Sequence, residues 1–205
     1  MISASVTHEI KNCLAIVNET AGLLEDLAMM AGDDGGLPVQ RVNPAAASVV
    51  KQVGRADWIM RDFNTLSHSV DEPVGTVDCR EMVAMLVRLS GRQAAMKNLD
   101  VQLTEEAETA SVTAEIAVVE SLVYLSLRTV YDRAESGDSV TIDLVREGAA
   151  MVVRIKAASL DVKRAGSDSR CPLLANQLSG SFEEEDDQVV ISFPLSLQDS
   201  GVQSG

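Results

Sequence analysis

Ser5-Val6-Thr7-His8-Glu9-Ile10-Lys11-Asn12 opens an amphipathic pattern that predicts a helix over residues 2–30. At about 100° per residue, Val6, Ile10, Cys13, Leu14, Val17, Ala21, Leu24 and Ala28 share one apolar stripe. The centre of that stripe lies roughly half a turn from His8, so the imidazole is expected to face solvent. Glu9 follows it directly, and Asn12 stands one turn along the same side. A neutral imidazole is a good nucleophile toward a phosphoryl group near neutral pH, and a carboxylate on its other nitrogen fixes the tautomer.

The pattern stops at Gly32-Asp33-Asp34-Gly35-Gly36, a breaker run extending past Pro38 to Pro44. A second helical pattern covers residues 45–69, with Val49, Val53, Ala56, Ile59, Met60, Phe63 and Leu66 three or four apart. Two helices joined by a polar loop make an antiparallel hairpin over residues 1–70. Its apolar face needs a cover, which either a second copy (a four-helix bundle) or the C-terminal half of the chain can supply.

Residues 71–77 read as a linker, and residues 78–197 as a mixed domain. Asp78 is placed to cap a helix over 78–97. Short strands at 100–103 and 111–113, a helix at 115–135 and alternating strands at 139–145 and 150–157 follow. A short helix near 172–178 and a hairpin from 180 to 197 close an α/β sandwich, and residues 198–205 are expected to be a disordered tail. The fold class is therefore α+β.

The formal net charge of −14 excludes the basic footprint of a nucleic-acid binder. No apolar run reaches the roughly 18–20 residues that span a bilayer, and no secretory signal is expected. Cys13, Cys79 and Cys171 are odd in number, widely spaced and without metal-ligand spacing, which reads as reduced thiols in a cytoplasmic protein.

The run His8-Glu9-Ile10-Lys11-Asn12 with Leu14 resembles the H box of sensor histidine kinases, in which the His is phosphorylated. The order of elements after it resembles their ATP-binding domain. In that family a long helix carries Asn residues that hold Mg²⁺ and the triphosphate; here Tyr124 and Arg128 stand in those places. A carboxamide oxygen can ligate a hard cation, whereas a guanidinium repels it. The family's Asp-x-Gly-x-Gly motif is reduced to Asp161 and a distant Gly166. A phospho-acceptor without donor machinery is similar to the dimeric histidine phosphotransferases of phosphorelays: a hairpin forming a dimeric four-helix bundle, followed by a degenerate ATPase-like sandwich.

The resemblance implies a homodimer that passes a phosphoryl group between response-regulator receiver domains through phospho-His8, without ATP. No cofactor is expected on the chain itself; the Mg²⁺ belongs to the receiver. Glu9 is expected to orient or deprotonate the imidazole, or to be a solvated helix charge, and Asn12 to bond a phosphoryl oxygen or place a water. Lys11 reads first as an exposed Lys, or as one that meets phosphoryl or receiver carboxylates, while Ala15, Glu19, Gly22 and Asp26 form a face that a receiver helix can approach, Gly22 reading equally as a glycine tolerated in a long helix. His68 reads as structural or inert. The competing functions are a receiver phosphatase, with Asn12 orienting water, and a non-catalytic adaptor that sequesters receivers or inhibits a kinase.

Overall fold

A computed structural model describes residues 2–31, 39–72, 74–105, 108–160 and 168–196, with side chains from Val6 onward. The expected tail at 198–205 and the pair Asp161 and Gly166 lie outside the described residues. The chain divides into two compact units, Met1–Asn64 and Thr65–Gly205, and the division falls inside a helix rather than at residue 70.

The first unit holds α1 (Ile2–Ala31) and most of α2 (Val39–Asp71). Val6, Cys13 and Leu27 are buried and Ile10, Val17 and Leu24 half-buried, two series repeating at multiples of seven residues. That is the narrow seam of two packed helices, and the rest of the expected stripe is uncovered in a single chain. Leu14, about a quarter turn from the seam, is 57% exposed, and Ala21 and Ala28 near the same angular position are exposed too. On α2 the series Val39, Ala46, Val53 and Met60 is likewise exposed at seven-residue spacing. α2 starts at Val39, with Pro44 inside it, where the breaker run was expected to continue to Pro44. Pro44, the sixth residue of the helix, has no N–H to donate to the Gln40 carbonyl, so one hydrogen bond of the early helix is missing.

In the second unit, β1 (Gly75–Asp78) pairs antiparallel with β3 (Ser111–Ala114). The expected linker at 71–77 is thus shorter, since α2 runs to Asp71 and a strand begins at Gly75. α3 (Cys79–Met96) follows at once, its start capped by the Asp78 carboxylate, which accepts from the Glu81 backbone N–H at 2.9 Å. Then come β2 (Asp100–Leu103), α4 (Ile116–Arg133), β4 (Ser139–Glu147), β5 (Ala150–Ala157), α5 (Arg170–Gln177), β6 (Ser181–Glu184) and β7 (Gln188–Pro194).

The main sheet has the order β2-β4-β5-β7-β6, with β2 parallel to β4 and every other pair antiparallel. Alternate residues of its central strands are buried: Val140, Ile142 and Leu144 on β4, Met151, Val153 and Ile155 on β5, Val189, Ile191 and Phe193 on β7. This alternation is the one-sided burial of a sheet with helices on one face. α4 packs on β5 and β7 and is flanked by α3 and α5. α4 is apolar on nearly every side for that reason, with Val119, Leu122, Val123, Leu127 and Val130 fully enclosed.

Candidate functional site

α1 presents His8 to solvent, opposite the seam that packs on α2. Asn12, Ala15, Glu19, Gly22 and Asp26 fall within about 40° of His8 on the helix, and Lys11 about 60° away. Asn12, Lys11, Ala15, Glu19 and Asp26 are exposed and Gly22 is half-buried. A Cβ built on Gly22 meets no atom within 4 Å, so the groove there is open. One face of one helix thus carries the imidazole and a run of small and acidic residues below it.

Glu9 turns toward α2. Its Oε2 accepts from Nη2 of Arg55 on α2 at 2.7 Å, and its side chain is only 13% exposed. Among the described residues no hydrogen bond joins it to His8. Arg55 was not singled out from the sequence. Arg61, on the same helix, instead pairs with Asp57 at 2.9 Å one turn earlier. Only the actual register distinguishes the two arginines.

In the second unit, Tyr124 is buried against α3, its hydroxyl accepting from Nε2 of Gln93 at 3.1 Å. Arg128 lies half-buried with Asp132 at 3.9 Å, one turn further along α4. α4 thus carries a core phenol and a half-buried guanidinium at these two positions. All three cysteines are buried and free, and burial raises the thiols of Cys79 to about 12 and Cys171 to about 11, which leaves both protonated and inert. No group of His, Cys, Asp or Glu suited to a metal occurs among the described residues.

A cavity of about 240 Å³ lies between the last turns of α2, β1 and α4, lined by Thr65, His68, Ser69, Glu72, Thr76 and Glu120 among others. Glu120 is 2% exposed, and its carboxylate accepts from the Ser69 hydroxyl. Desolvation dominates that bond and pushes the Glu120 carboxyl up from 4.5 to about 7. His68, expected to be structural or inert, lies on the rim, 3.8 Å from Asp71.

Solved structures match this architecture. The nucleotide-free catalytic domain of the histidine kinase ThkA superposes with a TM-score of 0.53 at 10% identity, over 62% of this chain and 100% of that one. The histidine kinase AdeS of Acinetobacter baumannii gives 0.51 at 12% identity, over 92% of this chain and 98% of the other. The fold is histidine-kinase-like. At such identities the likeness is one of fold. No protein-family model and no curated protein matches the chain. Within this histidine-kinase-like frame, the His8 face lies in the helical unit, and Tyr124 and Arg128 lie on the central helix of the sandwich. No helix among the described residues is long and apolar enough to cross a membrane.

Proposed function

We propose that the chain is a histidine phosphotransferase, which relays a phosphoryl group between response-regulator receiver domains through His8 and does not draw on ATP. The observation that supports this reading is the solvent-facing imidazole on α1; the resemblance further sets Tyr124 and Arg128 of α4 where a kinase carries metal-holding carboxamides. An exposed nucleophile on a rigid helix meets the geometric demand of in-line transfer, which is a reacting distance of about 3–3.5 Å without further chemistry from the carrier. Mg²⁺ is supplied by the receiver's acidic pocket.

Two copies form the working unit in this proposal. The series Leu14, Ala21, Ala28 and Val39, Ala46, Val53, Met60 leave apolar heptad positions uncovered in a single chain, and pairing two hairpins buries them in a four-helix bundle. Asn12, Lys11, Ala15, Glu19, Gly22 and Asp26 remain outside that seam for a receiver.

Incubating the chain with phosphorylated receivers from its own genome, with and without ATP, tests the reading. Label is expected on the wild type in both conditions, acid-labile and alkali-stable, and none on His8→Ala. Loss of receiver label without any phospho-His8 indicates the phosphatase instead. Unchanged function in His8→Ala indicates the adaptor. Label that requires ATP overturns the assignment of the sandwich.

A further inference from the structure

Glu9 is the acid next to the proposed nucleophile, yet α2 decides where its carboxylate stands. Oε2 is bonded to Arg55 at 2.7 Å, with the Glu9 side chain 13% exposed and that of Arg55 58% exposed. The pair bridges two helices, across 46 residues of sequence, and its acid follows His8 directly in the chain. A charge-assisted bond to a partly desolvated carboxylate restricts that carboxylate far more than water does. Only Oε2 is engaged, so Oε1 remains available to a neighbouring donor.

We propose that Arg55 is a positioning residue for phosphoryl transfer at His8, acting through Glu9; this rests on the phosphotransfer reading above. In the transfer, the lone pair of His8 Nε2 attacks phosphorus, the bond from phosphorus to the receiver's Asp oxygen breaks, and its electron pair leaves on that carboxylate. The ring becomes positively charged while Nδ1 keeps its proton. Rotation of the exposed imidazole brings the Nδ1 N–H toward Glu9 Oε1, which accepts its hydrogen bond and offsets the new charge. The reverse step returns the ring to neutral as the phosphoryl group leaves. A carboxylate already clamped by Arg55 meets the ring without first giving up the freedom of three side-chain torsions.

Single-turnover transfer from a phosphorylated receiver tests the assignment, with wild type, Arg55→Met, Arg55→Lys, Glu9→Gln and the double variant Glu9→Gln/Arg55→Met. Arg55→Met is expected to lower the limiting rate about tenfold and Glu9→Gln by about a hundredfold, within the range of a positioned acid–base group. The receiver concentration giving half the limiting rate stays unchanged, because neither residue belongs to the docking face. Arg55→Lys recovers most of the rate and keeps the test decisive if the Met variant loses helicity by circular dichroism. The double variant is no slower than Glu9→Gln, since Arg55 has nothing left to position. A rate in Arg55→Met equal to or above wild type, or losses that multiply in the double variant, overturns the role of Arg55 and leaves the phosphotransfer reading intact. A wild type that takes no label from any receiver overturns both.

Discussion

Burial of Glu120 makes the stability of the sandwich depend on pH in a direction opposite to that of most carboxylates. The group is 2% exposed and its pKa is raised from 4.5 to about 7. The folded state therefore binds this proton more tightly than the unfolded chain. Below about pH 4.5 both states are protonated and there is no penalty; as pH rises through 7 the folded state loses stability, and above 7 the loss is complete. A tenfold change in proton affinity is about 1.4 kcal/mol, so the displacement amounts to about 3 kcal/mol. Glu120→Gln keeps the shape and an acceptor for the Ser69 hydroxyl but carries no charge. The variant is expected to match wild type near pH 4.5 and to exceed it by up to about 3 kcal/mol above pH 8. With a urea dependence of about 2 kcal/mol per molar, that is a midpoint difference of about 1.5 M. Near-ultraviolet circular dichroism of Tyr124 and Tyr131, both buried on α4, reports this unit, whereas Trp58 reports the hairpin. The difference between variant and wild type isolates Glu120 from every other titrating group. If that difference is flat across the pH range, or the variant is the weaker protein at alkaline pH, the burial reasoning is wrong.

Three further outcomes follow from particular contacts. Gly180→Ala sets a Cβ 1.9 Å from the Ser192 carbonyl oxygen, a clash with backbone that is expected to cost about 3 kcal/mol or more and to appear as a lowered Tm. Glu184→Ala removes the carboxylate 2.8 Å from the buried Arg133 guanidinium, at a cost of about 3 kcal/mol by urea titration. Leu14→Glu places a charge on a side chain that is 57% exposed in the single chain, so it leaves a lone hairpin nearly unaffected but costs a paired one several kcal/mol. Sedimentation is expected to show a dimeric wild type and a monomeric variant at micromolar concentration; a monomeric wild type refutes the bundle.

Local chemistry made much of this protein legible before any coordinates. The direction of His8 follows from counting along one helix, because angular position at fixed pitch needs no information from elsewhere in the chain. The Asp78 cap acts within three residues, and the strands β4 and β5 declare themselves by alternation, since each buries one face. Strand β1 gave no such signal: its four residues are ordered by pairing with β3, more than thirty positions away, and so read as linker. The same limit hid Arg55, whose meeting with Glu9 depends on hairpin register, and Glu120, a lone acid on an apolar helix whose desolvation comes from the packing around it. Periodicity and capping are written along the chain and survive in isolation. Register, burial and the company a carboxylate keeps arise only when distant segments close on one another, and those decided where Glu9 and Glu120 stand.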